Sequence, residues 1–295
     1  MLVSVVIRTL NEATYLDELL QVIGTQIIDG FDVETVIIDS GSTDETLRIA
    51  ESYGCHITNI TKEQFTFGRS LNMGSDFARG DILVYISGHC IPSDSAWLMK
   101  LIKPIRNNTA GYTYGRQTGK YTTKYSEEKI FQKYFPIESK IPQSGFFCNN
   151  ANSAIDRKIW SKYKFDEELT GLEDMDLAKR YYDQKGKVAY IAEACVYHIH
   201  NENWSQIRRR YEREAIALQR IMPEIQISFF DMLRYIWISI ISDFKAAVVE
   251  GCFIKEFSGI MSFRSAQFIG SYRGNQDHRV LSKRRKENYF YSGKT

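Results

Sequence analysis

The first hundred residues alternate between two kinds of pattern, and that alternation limits the fold more than any other feature. Short β-branched, apolar runs occur at 3–8, 33–39, 55–60 and 82–87, and helical patterns lie between them. Leu16, Leu19, Leu20 and Ile23 share one face of a helix over 15–24. A second helix over 43–53 opens on Ser42-Thr43-Asp44-Glu45, which matches a capping box, and a third over 69–78 is closed by Gly80. Strands separated by helices need right-handed crossovers, and such crossovers build a parallel sheet. Ligands of such sheets sit beyond the carboxyl ends of the strands. The segments to read for chemistry are therefore Arg8-Thr9-Leu10-Asn11-Glu12, Asp39-Ser40-Gly41-Ser42 and Ser87-Gly88-His89-Cys90.

Further along, Trp97, Leu98, Leu101, Ile102 and Ile105 predict a helix, and 111–142 is less regular, with a short helix near 127–134. Order resumes over 145–155. Helices follow at 157–163 and 174–185, strands at 188–192 and 195–198, and a charged helix at 204–221. Pro223 marks a boundary. Beyond it Phe229, Leu233, Ile236, Trp237, Ile240, Ile241, Phe244 and Val248 give a helix with a wide apolar face. Asp231, Arg234, Asp243 and Lys245 interrupt that face, so the helix should not cross a bilayer; it can pack on the preceding domain or lie in a membrane interface. Two regions result, 1–221 and a helical, basic 222–295.

A chain of 295 residues with 43% hydrophobic and 25% charged residues has material for a sizeable core. Its net charge of +2 does not point to nucleic acid, and no nucleic-acid motif is present. Basic residues nevertheless crowd the C-terminus, at Arg273, Arg279, Lys283, Arg284, Arg285 and Lys286. Five scattered cysteines without a C-x-x-C pair read as reduced thiols of a cytosolic protein. The apolar start reads as a strand rather than a signal peptide, and no window is long enough for a membrane span.

Several residues suggest chemistry on their own. Asp39 ends a strand before a Gly-Ser turn, where it can accept from a ligand hydroxyl or N–H, or simply cap its turn. Arg8 and Glu12 can form an ion pair. Glu173-Asp174, at a loop-to-helix junction, offers one carboxylate to cap and one to take a proton. His198 and His200 flank Ile199 at strand spacing and so point to one face.

With these residues in order, the chain resembles the family 2 glycosyltransferases of the GT-A fold. The matches are Val5–Glu12, Val36–Thr46, Phe67-Gly68-Arg69-Ser70-Leu71-Asn72, Ala78–Leu83, Asn149–Ala154 and Leu172–Leu177, over roughly residues 1–215. The nearest branch is that of bacterial rhamnosyltransferases of surface polysaccharides. The resemblance implies an α/β, Rossmann-like, mostly parallel sheet flanked by helices, with a C-terminal helical extension. The nucleotide-sugar half would be about 1–115 and the acceptor half about 116–221. It implies an inverting transfer from a nucleotide-sugar donor to a hydroxyl of a glycan or lipid-linked acceptor, on the cytoplasmic face of a membrane with anionic lipid near the basic end.

By the same resemblance, Asp174 is the base, with Glu173 beside it. Thr9, Asn11, Glu12, Asp39, Ser42, Arg69, Asn72 and His89 belong to the donor pocket, and Arg116, Gln117, Asn150, Asn152 and Trp204 to the acceptor side. Family members usually hold Mg2+ or Mn2+ through Asp-x-Asp after the fourth strand; here Ser87-Gly88-His89-Cys90 stands there. Four readings stay open here: His89 ligates a softer metal with His198 or His200, His89 bonds a phosphate directly, Arg and Lys neutralise the diphosphate without metal, or His89 is purely structural. The rivals are a sugar nucleotidyltransferase, disfavoured because the 8–12 loop has no glycine, and a degenerate nucleotide-sugar binder, disfavoured by Glu173-Asp174.

Overall fold

The computed structural model describes residues 1–120, 122–276 and 289–290. It forms two compact units. The first comprises Met1–Lys120, Phe135–Glu168 and Glu173–Ile199; the second comprises Tyr121–Tyr134, Leu169–Leu172 and the chain from His200 onward. The helix over 204–221 thus groups with the C-terminal helices, whereas the boundary read from Pro223 keeps it with the sheet.

The first unit holds one eight-stranded sheet, in the order β3-β2-β1-β4-β7-β6-β8-β5. The first four strands are β1 (Leu2–Thr9), β2 (Asp32–Asp39), β3 (His56–Asn59) and β4 (Ile82–Ser87), all paired in parallel. Between them run α1 (Ala13–Gly24), α2 (Thr46–Ser52) and α3 (Phe67–Phe77). Val3, Val5 and Ile7 of β1 and Val84 and Ile86 of β4 enter one core with Leu16, Leu19 and Leu20 of α1. That burial is why these short β-branched runs are strands: both faces are covered, so the runs are continuous rather than alternating. The expected capping box at Ser42 does not form. The Ser42 hydroxyl turns to Asp39, and α2 starts only at Thr46, whose N–H is 3.0 Å from Asp44 Oδ1.

The other half of the sheet is mixed. β5 (Cys90–Pro92), α4 (Trp97–Arg106), β6 (Tyr112–Thr118) and β7 (Asn152–Asp156) precede β8 (Val188–His198). β7 runs antiparallel to both β4 and β6, and β5 antiparallel to β8. β6 lies inside the stretch expected to be irregular; its buried Tyr112, Thr113 and Tyr114 do not alternate with polar residues, so the period-2 signal is lost. The two strands expected at 188–192 and 195–198 are one strand. The break between them is a register shift against β6, where Gly115 pairs with Ile191 but Gln117 with Val196. α6 (Arg157–Tyr163) and α7 (Glu173–Asp183) complete this unit.

The second unit is helical: α5 (Tyr125–Tyr134), α8 (Trp204–Ile221), α9 (Phe229–Val249) and α10 (Phe253–Asn275). Asn203 and Ser228 form capping boxes at the starts of α8 and α9. Gly270 and Gly274, one turn apart on α10, allow its backbone to press against α8: a Cβ at either would overlap the carbonyl oxygen of Arg208 or Glu212. Ile207, Phe263 and Ala266 make one small core here, and Ile240, Ala247 and Ile260 another. Between α9 and α10 an ion pair is buried, Arg264 Nε lying 2.7 Å from Asp243 Oδ2. Of the basic residues noted near the C-terminus, Arg273 lies in the last turn of α10, while Arg279, Lys283, Arg284, Arg285 and Lys286 lie outside the described residues. No described helix is long and apolar enough to cross a membrane.

Candidate active site

The carboxyl end of β1 joins the candidate residues of the first unit. Thr9 donates its hydroxyl to Asp39 Oδ1 at 2.8 Å. Asp39 also accepts the N–H groups of Gly41 and Ser42 at 2.9 and 2.8 Å and the Ser42 hydroxyl at 2.5 Å. Asn11 gives its N–H to Ser42 Oγ and accepts the N–H of Thr43, both at 2.8 Å, while Glu12 N–H bonds Thr46 Oγ1 at 2.8 Å. The 8–12 loop and the 39–46 loop are therefore laced together by hydrogen bonds.

The expected Arg8–Glu12 pair is not made. Each residue reaches another functional segment instead. Arg8 lies over the Phe67 ring at 4.8 Å, and its Nη1 is 3.5 Å from Glu173 Oε1. Glu12 Oε1 is 3.2 Å from His89 Nδ1. Gly88 permits that approach, since a Cβ there would come within 2.9 Å of Glu12 Cγ and 3.4 Å of the Arg8 carbonyl oxygen. β1 thus brings Asp39, His89 and Glu173 to one edge of the sheet.

Asp174 is buried in the first turn of α7. Its Oδ2 accepts the Asn150 N–H and its Oδ1 the Met175 N–H, both at 2.7 Å. Burial, then the adjacent Glu173, pushes its pKa up to about 7; the two N–H groups and Arg8 oppose that rise. Arg8 is itself pushed down by burial, against the pull of Glu173 and Asp174. A carboxyl that changes charge near neutrality is suited to accept a proton and release it. Asn150 uses its Oδ1 on the hydroxyls of Tyr112 and Ser153, both at 2.7 Å, and its Nδ2 is buried without a partner. Arg116 Nε is likewise buried and unpartnered.

His89 and His198 stack with ring centroids 5.2 Å apart, because Cys90 pairs with His198 across β5 and β8. Both rings are oriented at Nδ1. Glu12 holds His89, and Gln117 Oε1 holds His198 at 2.7 Å, its amide fixed by Nε2 donating to Asn149 at 3.0 Å. An acceptor at Nδ1 requires the proton there. The residues after β4 do not fit a hard cation: Mg2+ and Mn2+ ask for oxygen ligands, yet this turn offers imidazole, the Glu12 carboxylate is engaged by His89, and the Cys90 thiol is pushed well up by burial. β8 ends at His198, and His200 lies two residues beyond it, in the second unit. Its Nδ1 lies 2.8 Å from Glu127 Oε1, in the second unit. Glu127, His200 and Glu202 are close enough to suggest a metal, but Arg210 pairs with both acids, at 2.7 and 2.8 Å, so an internal cation already occupies that role.

Other expected site residues have different tasks. Asn152 is a correction: it is wholly buried, takes the Trp97 indole N–H at 2.9 Å, and donates to the Arg116 and Ala194 carbonyls. Asn72 is another. Its amide is spent on Trp160, Phe165 and Glu167, and Arg69 pairs with Glu167 at 2.7 Å, so both fasten α3 to the segment before α7. Trp204 is half-exposed in the second unit, with the Lys124 ammonium 5.4 Å from its ring. The roles of Arg8, of Glu12 as partner of His89, and of Gln117 as partner of His198 were not visible in sequence, because each depends on pairing between distant strands.

Comparison with known proteins agrees with this geometry. Residues 4–164 match the family model Glycosyl transferase family 2. The chain is 27% identical over 224 residues to O-antigen chain rhamnosyltransferase RfbN of Salmonella typhimurium, covering 72% of this chain and 70% of that one. It is also 27% identical over 190 residues to O-antigen chain rhamnosyltransferase WbaN of Salmonella anatum, covering 60% of each. The branch to which the motifs pointed is thus the one in which these relatives fall. Among solved structures, mannosyltransferase PcManGT from Pyrobaculum calidifontis, in complex with GDP-Man and Mn2+, superposes with a TM-score of 0.64 at 15% identity, over 94% of this chain and 88% of that one. The fold is GT-A, with a helical C-terminal region. This chain is a glycosyltransferase and belongs to glycosyl transferase family 2.

Proposed function

We propose that the protein is an inverting glycosyltransferase that moves a deoxyhexosyl group, rhamnosyl by similarity to its relatives, from a nucleotide-sugar donor to a hydroxyl of a growing surface glycan. That glycan is carried on a lipid at the cytoplasmic face of a membrane. The observation that carries this reading is the contact of one loop, 8–12, with Asp39, His89 and Glu173. These contacts gather Asp39, His89 and the Glu173-Asp174 pair beyond the carboxyl end of β1, and this supports reading Asp39 as the nucleotide-side carboxylate and His89 as the phosphate-side imidazole.

In this reading Asp174 accepts the acceptor hydroxyl proton as that oxygen attacks the anomeric carbon from the face opposite the leaving nucleotide. Burial supplies its proton affinity near neutrality, and the Asn150 N–H holds it in place. Arg8 holds Glu173 beside it at 3.5 Å, and the Thr9–Asp39 turn seats the nucleoside. The diphosphate takes up negative charge as the bond breaks; with the diphosphate bound, a His89 protonated on both nitrogens gives Nδ1–H to Glu12 and Nε2–H to that charge. No step is assigned to a divalent cation, because the turn after β4 carries no carboxylate. The test is the anomeric configuration of the product, read by NMR with the correct donor and acceptor. Inversion is expected; retention would remove Asp174 from the role of base.

A further inference from the structure

α9 has two apolar faces, and only one is buried. Met232, Ile236, Ile240 and Ala247 turn inward. On the other side Phe230, Trp237, Ile241 and Val248, spaced by seven, four and seven residues, fall on one line along the helix. They are 79%, 57%, 49% and 61% exposed. Arg234 and Lys245, each one turn after an apolar member, complete the same line, and both are exposed. No acid lies on it: Asp231 is turned back to Ser228 in the capping box, Asp243 is buried against Arg264, and Glu250 is held by Lys129. The exposed apolar surface continues over the turn into α10, where Val249 is 87% and Ile254 92% exposed beside Lys255.

We infer that this line of α9, with the α9–α10 turn, docks on an anionic lipid surface, the helix lying in the plane of the interface. The inference deepens the membrane-proximal reading above by naming the surface. The charge pattern selects the occupant. Long cationic side chains placed within an apolar line can bury their stems while their heads reach anionic headgroups, and Trp belongs at such a boundary. The sequence after α10 adds Arg279, Lys283, Arg284, Arg285 and Lys286, charge of the same sign.

The test uses the full chain and vesicles of phosphatidylcholine with and without phosphatidylglycerol, read by co-sedimentation. Wild type is expected to bind the anionic vesicles, with weaker binding at high salt and to neutral vesicles. The emission of Trp237 should shift to the blue on binding, a shift that Trp237→Phe removes. Trp237→Glu combined with Ile241→Glu should reduce binding by about 100-fold, and Arg234→Gln with Lys245→Gln by about tenfold. Both exposed pairs should leave the melting temperature and the turnover of a soluble acceptor unchanged, which separates failure of docking from failure of the transferase reading. Undiminished vesicle binding by the glutamate variant would overturn the inference. So would a wild-type dimer that this variant converts to monomer without changing vesicle binding, since the stripe would then be covered by a second copy.

Discussion

Two aspartates stand at the same edge of the sheet and are held in opposite ways. Asp39 spends its carboxylate on its own neighbourhood, accepting from Thr9, Gly41 and twice from Ser42. Asp174 accepts two N–H groups, is buried, and has Glu173 beside it. The first arrangement shapes a loop; the second leaves a proton loosely committed near neutral pH. Two carboxylates in one site can thus differ in task through their surroundings alone.

The comparison breaks most sharply in kinetics. Asp174→Asn should lower kcat by about 10²–10⁴-fold with donor binding retained, measured by product formation and by nucleotide titration; lost binding would move Asp174 into the donor pocket. In the wild-type enzyme, kcat/KM should rise with pH to a plateau, bending near pH 7. Asp39→Ala should act instead on stability and donor affinity. Removing an acceptor that serves several buried donors should cost about 1–3 kcal/mol in denaturant unfolding, and a fully stable variant would show that the turn does not depend on it.

A smaller effect has the opposite sign. The folded protein holds the Asp174 proton more tightly than the unfolded chain, so this group's stabilising contribution is complete below the ordinary value of 3.8 and is lost as pH rises through about 7. Asp174→Asn escapes that loss. Its NH2 would face one of the two N–H groups that Asp174 accepts, so what should change is the pH dependence: its denaturation midpoint should vary less between pH 5 and pH 8 than that of wild type. The smallest expected effect is none: EDTA should leave turnover unchanged if His89 meets the diphosphate itself, and a collapse restored by a transition metal would assign His89 and His198 to that ion.

Much of the first half was legible in sequence because its strands and helices carry clean periodicities, and because glycine and serine punctuate the strand ends. Asp39 was marked by its position at such an end, and Glu173 and Asp174 by theirs at a loop-to-helix junction. The errors share a physical cause. Asn152 and Asn72 look like ligands for sugar hydroxyls or nucleotide, but a buried amide that satisfies backbone carbonyls and indole N–H groups is equally polar in sequence. The Ser42 hydroxyl had a helix to cap and an aspartate to bond, and the aspartate won. α10 gave little warning because glycines, where it meets α8, replace the apolar stripe that periodicity detects.

Asn11 sits at φ 55°, in the left-handed region, and its amide oxygen also tethers Thr43. Its backbone and its side chain therefore serve the loops beyond β1 and β2 in separable ways. Glycine at this position would preserve the bend and release only the tether, whereas alanine would surrender the tether and strain the bend as well. The difference between those two replacements would isolate how much of the enzyme's preorganisation resides in the path of the chain and how much in the stitching between its loops.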